Sequence, residues 1–321
     1  MLRNRARPAG RARGFLHRLC AGEELAYTIA LTAAGAILLI TALIFLELYT
    51  GSALSRAKFG WRFLLSSTWD PVTGDFGAVP FIYGTVVTSV LALIIAVPLG
   101  LGSAIFLAEM APAGISNGLT FLIELLAAVP SVIFGLLGIF ALVPFLQNSV
   151  VPALKSVFGL LPIFQGVFYG VSVFTAGILL AIMIVPFIIS VSREVLLAVA
   201  TDQREASAAL GASRWQTVWL VVIPNASSGI VGSIFLALAR ALGETMAVTM
   251  VIGNTPQIKA SLLAPGYTIA AVIANEFAEA TGDLYRNALI ELGLVLFGVT
   301  FVLNGLARIL IMTTAGKGTH A

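Results

Sequence analysis

Apolar residues in this chain are gathered into long, nearly uninterrupted runs. Each of the longest runs meets the roughly 20 residues that an α-helix needs to cross the hydrocarbon core of a membrane. Two shorter runs, near 149–164 and 260–275, are interrupted by proline or Pro-Gly and are expected to form surface or re-entrant segments. The pattern predicts six transmembrane helices, at about 26–48, 81–107, 119–145, 167–191, 226–252 and 287–313.

Composition agrees with a single helical bundle in a membrane. Of 321 residues, 59% are hydrophobic and only 10% are charged, far from the averages of soluble domains. The single cysteine, Cys20, allows no intrachain disulfide and no CxxC pair. The two histidines, His17 and His320, lie in terminal segments, so neither a metal site nor a nucleophile–base pair can be built around them. We therefore expect no enzyme activity, no catalytic or metal-binding residues and no cofactor.

Basic residues give an orientation, because they are retained on the cytoplasmic side during membrane insertion. They are concentrated in the N-terminal segment, in the loop 192–225 and near the C-terminus, which predicts that both termini are cytoplasmic. The first apolar run exceeds the 7–15-residue core of a signal peptide, so an uncleaved span is expected. The N-terminal segment itself is expected to contact anionic lipid and not nucleic acid. The predicted organisation is a basic tail over 1–25, a first helix over 26–48, an extracytoplasmic loop over 49–80, a core of five helices over 81–313 and a tail over 314–321.

The predicted cytoplasmic loop 201–224 has the pattern of two short helices. Gly211 is the expected break, and Ser213 followed by Gln216 has the spacing of a capping box at the start of the second helix. Pro224 is expected to end that second helix. One face of the first helix is small and apolar, formed by Ala206, Ala209 and Leu210. Such a hairpin could insert into a cleft of another protein or lie on the lipid headgroups.

Two charges interrupt the apolar stretch from Ala226 to Ile252. Arg240 and Glu244 are four residues apart, so on one helix they share a face and come within reach of a salt bridge. They are either a structural ion pair or a charged binding site on a solute pathway. Two further acids, Glu124 and Glu291, fall in the predicted third and sixth spans, where a structural role is the simpler interpretation.

The hairpin residues carry a resemblance to a known family. Seven residues fall at the spacing of the cytoplasmic "EAA…G…I.LP" loop of ATP-binding-cassette importer permeases, with conservative departures at three of them: Glu205, Ala206, Ser207, Gly211, Val221, Ile223 and Pro224. In that family the loop docks into the ATPase subunit. The resemblance thus implies that this chain couples a partner's ATP cycle to movement. The chain itself has no G-x4-G-K-[ST] phosphate-binding loop, since "AGKGT" at 315–319 lacks the spacing.

Longer segments indicate which group of importer permeases the chain resembles. Residues 80–112, 127–140, 239–254 and 262–280 resemble the C-type permease subunits of bacterial phosphate-specific importers. Permeases for sulfate and molybdate usually continue Arg–Ala–Leu–Gly–Glu with Phe–Gly–Ala, whereas this chain has Thr245, Met246 and Ala247. The resemblance implies an all-α fold of six transmembrane helices, of the type I (MetI-like) importer permease class, in the bacterial inner membrane. Its implied partners are an A-type permease, a dimer of ATPase subunits, and an extracytoplasmic phosphate-binding protein that contacts the outer loops 49–80, 146–166 and 253–286.

Arg240 has the chemistry that phosphate requires. An oxyanion leaving water needs hydrogen-bond donors and positive potential, and a guanidinium supplies both. We expect Arg240 to attract phosphate and Glu244 to hold and weaken that site, with the substrate pathway comprising Arg240, Glu244, Thr245 and Glu124. The ATPase-coupling residues are expected to be Glu205, Ala206, Ser207, Gly211 and Pro224. Alternatives are a permease for another oxyanion, an ion-coupled secondary anion transporter, or a scaffold subunit that transports nothing.

Overall fold

The structure is a computed structural model that describes residues 23–315. The predicted basic tail up to residue 22 and the segment 316–321, with Cys20 and both histidines, lie outside the described residues. The chain divides into two compact units, and the described part of the first is one helix, α1, Glu23–Gly51. The second unit, from Ser52 onward, begins with α2 (Ala53–Phe59), a 3-10 turn (Gly60–Leu64) and a two-stranded antiparallel hairpin. Its strands are β1 (Trp69–Asp70) and β2 (Asp75–Phe76).

The rest of the second unit is helical. In chain order the helices are α3 (Val79–Ile105), α4 (Ala113–Ala127), α5 (Ser131–Leu137), α6 (Val143–Phe145), α7 (Val151–Phe158), α8 (Val173–Leu197), α9 (Thr201–Ala209), α10 (Arg214–Thr217), α11 (Ile223–Gly243), α12 (Met246–Ile252), α13 (Ile269–Glu276) and α14 (Asp283–Ala315). Short π-helical turns extend α3 to Met110, join α5 to α7 and join α10 to α11. The helices joined by these turns are therefore continuous, and each joined set is called a rod below.

Six rods in the described residues are long and apolar enough to cross a membrane, which confirms the predicted number. They are Ala26–Gly51, Val79–Met110, Ser131–Phe158, Val173–Leu197, Arg214–Gly243 and Asp283–Gly305.

The bounds of the third and fifth spans differ from the prediction. The predicted third span, 119–145, is interrupted after Ala127, because Pro130 adopts an extended conformation (ψ 139°) and disfavours helical geometry in the residue before it. The span itself runs through the segment predicted to be a surface piece. The predicted fifth span, 226–252, breaks after Gly243, where Glu244 is extended (ψ 126°). Hydropathy identified apolar stretches in both places and did not show where the backbone turns.

The core of the second unit is built around α3 and α8, the helix pair with the most extensive contact in the described chain. Close approach is possible because glycines face large side chains: a Cβ at Gly100 would lie 2.7 Å from Ile188, and one at Gly177 would lie 2.5 Å from Leu91. Around this pair α5, α11 and α12 contribute to one apolar cluster. The outward surfaces of several spans carry exposed large apolar residues, such as Ile94 and Phe140, as expected for contact with lipid.

A buried pair of hydroxyl groups joins α8 to α11. Ser192 Oγ and Ser233 Oγ are 2.7 Å apart, and Ser233 also donates to the carbonyl of Ile230 in its own helix. Three residues further along α8, Val195 packs where a Cβ at Gly229 would lie, 2.4 Å from Cγ1. These two contacts show that α8 and α11 are antiparallel, and they define which residues lie at the same level.

At the end of the bundle away from α9 and α10, an aromatic cluster holds the β-hairpin and the short helix α13. Trp69 Nε1 and the Tyr285 hydroxyl both donate to Glu276 Oε2, at 2.9 and 2.7 Å. Within the hairpin turn, Asp70 accepts the backbone N–H of Val72 at 2.8 Å, which holds the pKa of that carboxyl below its usual value.

The segment before α13 lies directly against α3. A Cβ at Gly84 would be 2.1 Å from the Tyr267 carbonyl oxygen, so only glycine permits this approach. Next to it, Ile269 N donates to Thr85 Oγ1 at 2.9 Å. Burial raises the pKa of the Tyr267 hydroxyl, which accepts a hydrogen bond from Asn275 Nδ2.

Candidate functional site

Arg240 lies about halfway along the bundle. Since α8 and α11 are antiparallel and Ser192 is level with Ser233, a residue seven positions after Ser233 is level with a residue seven positions before Ser192. That position is Val185, the midpoint of α8, about 10 Å along the axis from the serine pair. Arg240 is therefore level with the middle of the fourth span.

The Arg240 side chain lies on the open side of α11. The residues of this helix that pack on its neighbours recur at four-residue spacing, at Ser233, Ala237 and Ala241, and all are buried. Arg240 and Leu236 lie on another face and are exposed in this chain. Two ion pairs occur within the described residues, Arg193–Glu194 and Arg204–Glu109, and Arg240 belongs to neither. A charge at this depth therefore projects away from its own core without a partner in the described chain.

Of the two interpretations of Arg240 and Glu244, the structural ion pair is not present in the described residues. The helix ends at Gly243, so the two residues are not one turn apart on a common helix, and they form no ion pair in the described structure. Glu244 Oε1 instead accepts the backbone N–H of Ala247 at 3.3 Å, in the first turn of α12. A carboxylate at that point satisfies a helix N–H and interacts favourably with the positive end of the helix dipole.

The other pathway candidates are dispersed. Thr245 precedes α12 and its hydroxyl donates to the Gly243 carbonyl at 3.2 Å, close in sequence to Arg240. Glu124 is exposed on α4, a helix of 15 residues outside the third span, and it forms no side-chain hydrogen bond or ion pair with the other candidates in the described residues. Glu291 is buried in α14, beside Ser55 and Arg56 of α2. The structure thus groups Arg240, Glu244 and Thr245 around one helix break and leaves Glu124 elsewhere.

The segment 201–224 contains the two predicted short helices. Helices α9 and α10 are separated by Gly211, whose φ of +86° is the left-handed conformation that glycine adopts without strain. The predicted capping box is present, with Gln216 N donating to Ser213 Oγ at 3.3 Å and Ser213 N donating to Gln216 Oε1 at 2.8 Å. Pro224 does not end the second helix, because a π turn over Val218–Val222 accommodates the proline and α10 continues into α11.

The outer face of α9 is open. Glu205 and Ala206 are exposed, and Leu210, just after the helix, is 89% exposed. Ser207 lies on the inner side, where its hydroxyl is 3.0 Å from that of Thr217 in α10. Of the five residues expected to couple to an ATPase, Ser207 therefore braces the hairpin internally, while Glu205 and Ala206 are free to meet another protein.

One contact of this hairpin was not foreseen from the sequence. Arg204, on the inner face of α9, forms an ion pair with Glu109, in the π turn that ends the second span, with Nη2 2.9 Å from Oε1. The two residues are 95 positions apart, so no local pattern connects them. The one signal in the sequence is that Arg204 lies outside the small apolar face formed by Ala206, Ala209 and Leu210.

Comparisons with known proteins identify the family. The model of the family described as binding-protein-dependent transport system inner membrane component matches residues 96–312. The chain is 47% identical over 289 residues to the phosphate transport system permease protein PstC of Mesorhizobium japonicum, with 88% of each chain covered. It is also 47% identical over 285 residues to PstC of Pasteurella multocida, covering 88% of this chain and 89% of that one.

Solved structures agree on the fold. A chain of a bacterial alginate ABC transporter, in complex with an alginate pentasaccharide-bound periplasmic protein, aligns with a TM-score of 0.57 at 18% identity, over 93% of this chain and 98% of that one. A chain of the MetNI methionine ABC transporter in an inward-facing conformation aligns with a TM-score of 0.53 at 15% identity, over 77% and 99% of the two chains. These similarities confirm the all-α importer permease fold. This chain belongs to the binding-protein-dependent transport system inner membrane component family, and within it to the PstC phosphate transport system permease proteins.

Proposed function

We propose that this chain is the permease subunit of an ATP-driven importer of inorganic phosphate, and that it carries no ATPase site of its own. Its relatives are named as phosphate transport permeases, and the sequence lacks the phosphate-binding loop of an ATPase. The partners in this proposal are a second, A-type permease, a dimer of cytoplasmic ATPase subunits and an extracytoplasmic phosphate-binding protein. The distribution of basic residues supports an orientation with both termini and the hairpin 201–224 in the cytoplasm.

The observation that carries the proposal is the position of Arg240. Its charge stands at the middle of a membrane-spanning bundle, on an open face of α11, without an acidic partner in the described chain. Exposing a charge to lipid at that depth costs about 2.5–3.5 kcal/mol or more, so the face must meet either another protein or water. A pathway between this chain and a second permease satisfies that requirement and supplies the phosphate dianion with a permanent positive charge.

The residues at the helix break beside Arg240 are suited to binding phosphate weakly, so that it can dissociate again. Because Glu244 caps α12 and does not neutralise Arg240, the guanidinium keeps its charge available to the solute. Thr245 adds a hydroxyl group at the same break. A single guanidinium and a few polar groups bind an oxyanion without enclosing it, as conduction requires.

The test is phosphate uptake by proteoliposomes that contain the purified assembly, with ATP enclosed at the cytoplasmic face. Arg240→Gln should lower ATP-dependent uptake by about ten- to hundred-fold, because charge-assisted hydrogen bonds of about 1.5–3 kcal/mol are lost. Arg240→Lys is the matched control, since lysine keeps the positive charge at the same position, and it should retain more uptake than Arg240→Gln. The subunits should co-purify with both variants.

Five results would refute parts of this proposal. Normal uptake with Arg240→Gln would remove Arg240 from the pathway, and loss of assembly would assign it a structural role. Uptake that runs on an ion gradient without ATP would indicate a secondary transporter. Retained uptake with Glu205→Lys, which places a reversed charge on the open face of α9, would count against docking of that face to an ATPase. Competition by sulfate or molybdate at equal concentration would indicate a different oxyanion.

A further inference from the structure

Arg204 connects helix α9 to the ends of two membrane spans. Its guanidinium donates to Glu109 Oε1 from Nη2 at 2.9 Å and from Nε at 3.3 Å. The same group donates to two backbone carbonyls at the end of α8, from Nη2 to Leu196 at 2.8 Å and from Nη1 to Val199. One side chain therefore joins three elements, namely α9, the π turn that ends the second span, and the C-terminal end of α8.

These bonds use the particular chemistry of arginine. The last carbonyls of a helix have no partner within the helix, and the planar guanidinium satisfies two groups there while also holding a carboxylate. The site is largely screened from solvent, since the side chains of Arg204 and Glu109 are 21% and 11% exposed. A lysine has a single donor centre and cannot reach all three acceptors in a fixed plane.

Helix α9 has few other attachments to the bundle. Along Thr201–Ala209, only Arg204 and Ser207 are partly buried, and the remaining residues are exposed. Ser207 bonds to Thr217 in α10, at the start of the fifth span. The side-chain connection from α9 to the second and fourth spans, which form the most extensive helix pair of the described bundle, therefore runs through Arg204.

We propose that Arg204 is a positioning residue that transmits displacement of α9 to the paired ends of α3 and α8. This inference rests on the proposed function, because it assumes that an ATPase subunit moves the hairpin. The four bonds of the guanidinium pass a push on the open face of α9 to the ends of α3 and α8. Without them, α9 shifts relative to the bundle, and ATP is hydrolysed with little transport.

The experiment measures phosphate transported per ATP hydrolysed by the complete complex in proteoliposomes, with the binding protein present. Arg204→Gln should leave the ATPase subunit bound and its hydrolysis rate within about twofold, while the transported amount per ATP falls at least tenfold. Arg204→Lys should recover part of the ratio, and Glu109→Gln should lower it in the same direction. Glu194→Gln, which removes a carboxylate from the exposed ion pair Arg193–Glu194 outside the hairpin, is the matched control for Glu109→Gln and should leave the ratio unchanged.

The outcomes separate this inference from the proposed function. An unchanged ratio with Arg204→Gln and Glu109→Gln, in a complex whose unsubstituted form transports phosphate, overturns the inference alone. Loss of ATPase binding with both Arg204→Gln and Arg204→Lys also overturns it, because Arg204 would then support the fold of the hairpin. An unsubstituted chain that neither binds an ATPase nor supports uptake overturns the proposed function instead.

Discussion

Replacing Gly84 with alanine should push the segment before α13 away from α3. The added Cβ would lie 2.1 Å from the Tyr267 carbonyl oxygen and 2.8 Å from its carbonyl carbon. Since even a close carbon–oxygen contact is about 3.3–3.6 Å, the backbone at Tyr267 must move by more than about 1 Å. That movement opens the adjacent hydrogen bond from Ile269 N to Thr85 Oγ1.

The expected loss of stability follows from these two effects. Overpacking of this kind costs about 1–3 kcal/mol, and the opened hydrogen bond adds about 0.5–1.5 kcal/mol. Together they lower the free energy of unfolding by about 2–4 kcal/mol, which reduces the thermal midpoint by several degrees. The midpoint can be measured by scanning fluorimetry of the purified protein in detergent.

Gly102→Ala is the matched control for Gly84→Ala. Gly102 lies in the same helix, but a Cβ there meets nothing within 4 Å, so alanine should be neutral or gain up to about 1 kcal/mol from its better helix propensity. Equal midpoints for the two variants would refute the claim that the segment before α13 is seated directly on α3.

Two further predictions concern the helix break and the hairpin. Glu244→Ala should lower the thermal midpoint, because it removes the acceptor for Ala247 N and costs about 0.5–2 kcal/mol of stability. Glu244→Gln keeps an acceptor oxygen and should cost less. Equal losses for the two variants would argue against capping. Gly211→Ala should strain the left-handed position between α9 and α10 by about 1–2 kcal/mol and weaken co-purification of the ATPase subunit. Gly211→Asn should have a milder effect. An unaffected Gly211→Ala variant would show that the turn is not held in this conformation.

The number of spans and the hairpin could be predicted from the sequence because both depend on local patterns. A run of about 20 apolar residues is sufficient to predict a span, and Gly211 with the Ser213–Gln216 spacing is sufficient to predict a helix break and a new start. The prediction of α9 and α10 is confirmed down to the reciprocal hydrogen bonds of the capping box.

The errors arose where tertiary context decides the conformation of the backbone. Pro130 could have been a kink within a span or a break between helices, and hydropathy is equal in both cases. Gly243 preceding Glu244 was a possible helix end, yet the four-residue spacing from Arg240 favoured a common helix. The Arg204–Glu109 pair joins residues far apart in sequence, so only the packed structure reveals it. The pathway role of Arg240 stays a prediction.

The hydroxyl pair of Ser192 and Ser233 limits how the permease can change shape. In a dry interior, separating the two groups leaves the Ser192 hydroxyl without its partner, which is costly. Sliding α8 along α11 by even one residue would separate them, so these helices are expected to travel as one rigid body. Opening and closing of a passage must then occur by tilting α8 and α11 together against neighbouring helices, at contacts that no buried hydroxyl pair of this kind holds.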